Sequence, residues 1–500
     1  MDNWVPLTYT GRLIFYRDLM ITHVLHTGTN HREPLSGLVA PARPLPTSGA
    51  PFADLLGVNN LSTLGSLHGK TVVLRVDANV SPQSPLFPFH PRIQQVASTL
   101  NLLCMAGART IVISHRSLGD DSSAEKVSNK EIVHQLRSNF SHLASTLTFH
   151  EARDSERLRT SRAERSYFGR LHTTMKELPA GHALFLENIR LFPSEGREKA
   201  QWRLNQLTKL VDYLVYDGFG VGHRGGHFSV DGLLRAFPYE RKCLGPAALQ
   251  EWERISSFAQ TARPSSVALI LGGDVDKFES KLKLVIEMLK TDRVGLVYLG
   301  GVFGTSWLHA HGCDLGRTPV SRNARALEKL RELPNRFPNV RFTLPKEYVG
   351  LSGSKELCRW TVSPKGTKTP NIHLPPTSIA LDQSKCDLSP LLTKREISHV
   401  VAVGPLGYYA VKPFDTGTVT AYQSLTRWVQ AAENRKLIVG GGNSMEALLD
   451  IPEFQTPPTP SMMISSGGGA LLNALAEAFK VSGDPSLIQT PSIQALRRTN

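Results

Sequence analysis

Cysteine is scarce in this sequence. Five residues among 500, Cys104, Cys243, Cys313, Cys358 and Cys386, are widely spaced, odd in number and without a CxxC pair. That pattern argues against a secreted disulfide framework and against a cysteine zinc site, and fits a reducing compartment. Long apolar runs are missing too: none approaches the roughly 20 residues that cross a bilayer, so a soluble, cytoplasmic protein is expected. No short-period repeat occurs. There is also no basic tract. Fifty-seven Lys and Arg against 43 Asp and Glu give a net charge of +14, yet the cations are dispersed and no aromatic-interleaved stripe accompanies them. This argues against nucleic acid as a partner, although composition alone does not decide between it and small anionic metabolites. Even the most charged stretch, 151–170, interleaves Arg153, Arg157, Arg159, Arg162 and Arg165 with Glu151, Asp154, Glu156 and Glu164, the pattern of a solvated mixed-charge helix.

Residues 1–65 hold four Arg, four acidic residues and no Lys, with Pro34, Pro41, Pro44, Pro46 and Pro51. They have neither the apolar core of a signal peptide nor the acid-poor, basic character of a transit peptide, and a peripheral, partly disordered extension is expected. Residues 470–500 are expected to form a carboxy-terminal helix and a loosely patterned tail that returns to the first domain.

Between these ends, short β-rich runs alternate with longer helical patterns. TVVLRV, TIVISH, HALFLEN and LVDYLVYDGFG mark strands in the first half. In the second half, five apolar runs end in glycines: ALILGG at 268–273, VYLGG at 297–301, VVAVGPLG at 400–407, LIVGGG at 437–442 and MMISSGGG at 462–469. Each reads as a buried strand followed by a turn whose missing side chains let backbone N–H groups approach a phosphate. Between the halves, 243–262 has helical spacing and no strand character. The expected architecture is α/β: two doubly wound, parallel-sheet, Rossmann-like domains, 66–242 and 263–469, joined by a hinge helix over 243–262.

The first half places polar groups at strand ends, the edge where open α/β sheets bind ligands. Asp77 and Asn79 follow the first strand, Arg92 begins the next helix, His115 ends a strand, and Arg190 and Arg224 follow LEN and DGFGVG. Taken together they describe an anion site with fork-shaped arginine donors. With RVDANV, ISH, ENIRLFPSE, DGFGVGHR, ILGG followed by DKFESK, TLPKEYV, VGPLG, KPFDTGT, IVGGGNS and SSGGGA in order, the chain resembles the phosphoglycerate kinases from about residue 66 to about 480.

The resemblance implies a hinge-bending glycolytic enzyme, expected to be a monomer. It would move a phosphoryl group between 1,3-bisphosphoglycerate and ADP, giving 3-phosphoglycerate and ATP, with Mg2+ carried on the nucleotide. By that resemblance Asp77, Asn79, Arg92, His115, Arg190 and Arg224 bind the acid substrate, and Arg92 and Lys277 are catalytic. The nucleotide side falls on Gly272, Gly273, Lys277, Lys281, Gly301, Gly404, Pro405, Gly440, Gly441, Gly442, Asn443, Ser444, Gly467, Gly468 and Gly469. Matching Lys277 and Lys281 takes a two-residue insertion after Gly273, such as Asp274 and Val275; without the resemblance DKFESKLK reads as a solvated helix face. Four positions depart from the family pattern. Leu118 stands where an arginine is expected, with Arg116 or an altered loop as possible replacements. Val403 replaces an asparagine, Ala410 the ribose-binding glutamate, and Asn443 the metal-associated aspartate. A neutral amide is a poorer partner for magnesium than a carboxylate. Two expectations follow: a kinase of reduced activity, or a catalytically impaired relative that keeps the fold and acts as a binding, sensing or assembly protein.

Overall fold

Four of the six residues of TVVLRV, Val72, Val73, Leu74 and Val76, are apolar and fall on both faces, as in a strand buried on both sides. The run forms β1 (Thr71–Val76) at the inside of a six-stranded sheet. The structure, a computed structural model, describes residues 50–83, 87–116, 128–152, 160–196, 201–365, 369–409, 411–441, 444, 448, 451 and 461–498. Around β1 stand β2 (Arg109–Ile113), β3 (Leu147–Phe149), β4 (Ala183–Phe185), β5 (Tyr213–Asp217) and β6 (Lys242–Leu244), in the order β3-β4-β2-β1-β5-β6. All pairs are parallel. Successive side chains alternate between faces. Val72, Leu74 and Val76 join one apolar cluster with Ile93, Val96 and Leu100 of helix α1 (Pro91–Met105), and Val73 joins another on the opposite face.

The second sheet is built in the same way from β7 (Val267–Leu271), β8 (Val294–Leu299), β9 (Arg341–Thr343), β10 (His399–Val403), β11 (Lys436–Gly440) and β12 (Met462–Ser465). Its order is β9-β8-β7-β10-β11-β12, again all parallel. In each sheet the strands therefore end along one edge, where the candidate residues lie. The pattern gave no sign of one feature: an antiparallel three-stranded sheet of Glu347–Leu351, Leu357–Thr361 and Ile379–Gln383 attached to this lobe.

Helix α2 (Pro246–Thr261) connects the lobes. Its Leu249, Trp252, Ile255 and Phe258 lie in an apolar cluster that also contains Val73 of the first sheet and Leu269 of the second. The expectation of no strand character over 243–262 is corrected at its start. Cys243 and Leu244 complete the edge strand β6, which pairs with Leu214–Tyr216; so short a strand has no period to read. Asp217, just beyond it in space, accepts a hydrogen bond from Ala248 N at 2.7 Å and so satisfies one of the unpaired amides at the helix start.

The mixed-charge segment also needs correction. Residues 153–159 lie outside the described residues, and 161–177 form a helix. Its Glu164 is buried, not solvated, and pairs with the equally buried Arg203. The Arg203 guanidinium lies 4.2 Å from the Phe228 ring centroid and 5.0 Å from that of Phe168.

Of the amino-terminal stretch, Ala50–Leu56 is helical, with Phe52, Ala53 and Leu56 buried. Leu244 N donates to Asn59 O at 2.9 Å and Arg497 Nε to Leu56 O at 3.0 Å. The last helix, Pro491–Leu496, touches the first lobe through Ser492 N, which donates to Gly222 O at 3.1 Å. No helix among the described residues is long and apolar enough to cross a membrane.

Candidate functional site

Each first-lobe candidate but Arg92, which begins helix α1, occupies a strand end or the loop beyond it. Asp77 follows β1 and is 6% exposed. Its carboxylate lies 3.5 Å from Arg92 Nε and 3.9 Å from His115 Nδ1, and it accepts from Asn79 N at 3.2 Å. Burial by itself would push this carboxyl up, but Arg92, His115, Arg75 and the Asn79 N–H outweigh it and hold the group at about 2. Burial drives the His115 ring well below the usual histidine range, against the pull of Asp77.

Arg92 begins α1, where the His90 side chain caps the helix by accepting from Arg92 N at 3.2 Å. From there the guanidinium donates through Nη1 to Asn79 O at 2.9 Å and through Nε to Ser466 O at 2.8 Å. The second contact crosses to the other lobe. Half-buried Arg190 follows β4 and exposed Arg224 follows β5. Burial lowers the Arg190 pKa, and the neighbouring charges of Arg224 and Arg75 add to that. Sequence reasoning did not assign a role to Arg75, 1% exposed, with Nη2 at 3.5 Å from His115 Nδ1. An arginine inside TVVLRV was its signal, since a charge in a buried strand needs a partner.

On the second lobe, Lys281 lies on α3 (Phe278–Leu289), one turn beyond exposed Lys277. Lys281 is 7% exposed and its ammonium donates to Gly272 O at 3.0 Å, so this lysine is not part of a solvated helix face. Burial lowers its pKa to about 8, Lys277 adds to the shift and Asp274 opposes it.

The glycine turns differ from their expected use. Gly272 N donates to Val403 O, Gly273 N to Pro405 O, Gly301 N to Leu406 O, Gly404 N to Ser444 Oγ and Gly467 N to Ser465 Oγ. These amides face protein acceptors. What the glycines permit is close packing of one loop on the next: a Cβ on Gly272 would meet Pro405 O at 2.2 Å, and one on Gly404 would meet Gly272 O at 2.3 Å. The row continues to Gly440, where a Cβ would meet Gly467 O at 2.6 Å, and to Gly441, whose added Cβ would lie 3.8 Å from Gly468 Cα.

At its end the row meets the first lobe. Beyond Ser466, a Cβ on Gly467 would meet the Phe219 ring at 3.1 Å and one on Gly469 would lie 3.9 Å from His223 Nε2. Beneath this junction, Glu251 of α2 accepts from Gln95 Nε2 at 3.1 Å, Ser466 N at 3.0 Å and Ser465 Oγ at 2.6 Å. The anion cluster of one sheet thus faces the last glycine turn of the other. The profile of the phosphoglycerate kinase family matches residues 61–478. The chain belongs to the phosphoglycerate kinase family.

Relatives agree. It is 27% identical over 425 residues to the phosphoglycerate kinase of Gloeobacter violaceus, covering 82% of this chain and 93% of that protein. To that of Clavibacter sepedonicus it is 28% identical over 439 residues, covering 84% and 96%. The crystal structure of phosphoglycerate kinase from Pyrococcus horikoshii superposes with a TM-score of 0.64 at 22% identity, over 86% of this chain and 96% of that one. The structure of phosphoglycerate kinase from Coxiella burnetii gives 0.56 at 21%, over 88% and 98%. These structural likenesses bear on the fold.

Of the positions where the resemblance implies another residue, Leu118, Ala410 and Asn443 lie outside the described residues, as does Gly442. Val403 ends β10 fully buried. Arg116 is committed elsewhere, its Nη1 donating to Ser128 O at 2.7 Å.

Proposed function

We propose that this protein is a phosphoglycerate kinase with turnover below that of relatives carrying the aspartate and glutamate it lacks. The observation that carries the reading is Arg92, held by Asp77 and Asn79 O on one lobe and by Ser466 O on the other. A guanidinium at the junction would stabilise the equatorial oxygens of a phosphoryl group passing between the lobes. Asp77 and Asn79 would orient the hydroxyl and carboxylate of 3-phosphoglycerate. His115, Arg190 and Arg224 would surround its phosphate. Lys277, exposed beside the glycine row, would neutralise the transferred group, while Lys281 would face the nucleotide phosphates.

Such a transfer needs no covalent nucleophile. Alignment and charge stabilisation carry it. Magnesium, when bound, spreads the charge of the phosphate oxygens. Among the described residues no group of three or more His, Cys, Asp or Glu could hold the ion, and Asn443 offers a neutral oxygen. Nucleotide oxygens and water would hold it for the most part, with Lys277 and Lys281 sharing the charge.

A second reading, a binding protein without turnover, is favoured by Val403, Ala410 and Asn443, which stand where the family resemblance implies an asparagine, a glutamate and an aspartate. A coupled assay with 3-phosphoglycerate and MgATP decides between them when Lys277→Ala is run alongside to exclude a contaminating kinase. The kinase reading expects turnover that drops by about a hundredfold or more in Lys277→Ala and in Arg92→Ala. It also expects Ala410→Glu with Asn443→Asp to tighten MgADP binding. No turnover above the control in folded protein would leave the binding reading standing.

A further inference from the structure

Glu195 lies at the margin of the anion cluster, in the short turn Pro193–Gly196, and the reaction proposed above does not use it. The side chain is 9% exposed and one residue engages both of its oxygens. Ser229 Oγ donates to Oε1 at 2.7 Å and Ser229 N to Oε2 at 3.2 Å. The carbonyl of that same serine accepts from Arg75 Nε at 3.1 Å. Arg75 reaches His115 Nδ1 at 3.5 Å, and His115 Nδ1 lies 3.9 Å from Asp77 Oδ1.

We infer that Glu195 is a positioning residue of the acid-binding cluster: by clamping Ser229 it sets the carbonyl that aims Arg75, and through Arg75 it sets the His115 and Asp77 pair. Ser229 belongs to the single wide turn Phe228–Gly232. The clamp ties that turn to the loop after β4, so two strand-end loops are held at one spacing. Without the carboxylate, the buried Ser229 hydroxyl and amide lose their acceptor and the turn must shift to find water. Burial pushes the Glu195 carboxyl up to about 7, against Ser229 and Arg75. A neutral amide of the same shape should therefore replace it well. The inference rests on reading this cluster as the 3-phosphoglycerate site.

Two readouts test it separately: calorimetric binding of 3-phosphoglycerate and of MgADP, and the ring 15N shifts of His115 in the ligand-free protein. Glu195→Ala is expected to weaken 3-phosphoglycerate about tenfold, leave MgADP unchanged and move the His115 resonances. Glu195→Gln is expected to restore both readouts. Should Glu195→Ala fail to fold, Ser229→Ala keeps the carbonyl and drops only the hydroxyl, with about a threefold loss expected. Wild-type binding and unmoved His115 signals in a folded Glu195→Ala or Ser229→Ala protein would overturn the inference, as would equal loss of both ligands. A wild-type protein that binds no 3-phosphoglycerate while its His115 signals still move in Glu195→Ala would retain the positioning role and refute the substrate.

Discussion

Lys281 keeps a charge where water reaches it poorly. Its ammonium donates to Gly272 O, and burial together with Lys277 brings the pKa from 10.5 to about 8. Two consequences have opposite signs. Between about 8 and 10.5 the unfolded chain holds this proton more tightly than the folded one, so the Lys281 contribution to stability rises with pH across that window. A contribution to phosphate binding would fall over the same range, because the cation is lost. If Lys281 faces the nucleotide, kcat/KM for MgADP should drop toward about tenfold per pH unit above about 8, and Lys281→Arg should remove that inflection. A wild-type profile that stays flat through the window would assign the phosphate charge to another group. Asp77 behaves differently: at about 2 it stays ionised at any pH a kinase assay would use.

Glycine decides how the loops at the strand ends of the second lobe pack on one another. At Gly404, φ is +94° and an added Cβ would stand 2.3 Å from Gly272 O. Backbone atoms cannot swing aside as a flexible side-chain tip can. Gly404→Ala should therefore cost about 2–4 kcal/mol, read as a lower denaturant midpoint at unchanged slope. Gly69 provides the comparison, with φ +70° and nothing within 4 Å of its Cβ position. Gly69→Ala should cost only the left-handed strain, about 1–2 kcal/mol. Equal losses at the two sites would mean that the Gly272 and Gly404 loops part easily. The same packing explains why a row of glycines can read as phosphate turns and yet turn several of its amides inward.

The molecule as a whole is held together by segments from both sides of the family-matched region 61–478. The helix Ala50–Leu56 buries Phe52, Ala53 and Leu56 in the cluster that contains Trp252 of α2 and Ile493 of the last helix. Arg497 secures it, donating to Leu56 O and to Pro485 O, each at 3.0 Å. Removing residues 1–56 should lower stability by about 2–4 kcal/mol through lost apolar burial. Thermal unfolding of the shortened chain would measure this, and an unchanged Tm would mean that the helix is a passenger. Glu251 acts at the same scale, since its carboxylate gathers Gln95 from one lobe and Ser465 and Ser466 from the other.

Much of this was legible in the residues. Apolar runs of strand length, ended by glycine or by Asp and Asn, marked the parallel strands, and the positions of His115, Arg190 and Arg224 beyond strand ends and of Arg92 at a helix start followed from that pattern. Period and punctuation are local properties, so a local reading recovers them. Glu164, Arg75 and β6 were not legible in this way. The Glu164 charge sits in a sequence window that looks solvated, and its burial depends on Arg203 arriving from another helix. Arg75 acquires a role only through Ser229 and His115, and a three-residue edge strand has no periodicity. The sequence by itself determined which side chains end the strands, because burial period sets where each strand stops. Which of those ends face one another was decided only by the tertiary structure: the bond from Arg92 to Ser466 spans 374 positions of chain, and a contact that distant leaves no mark in the local pattern of either partner.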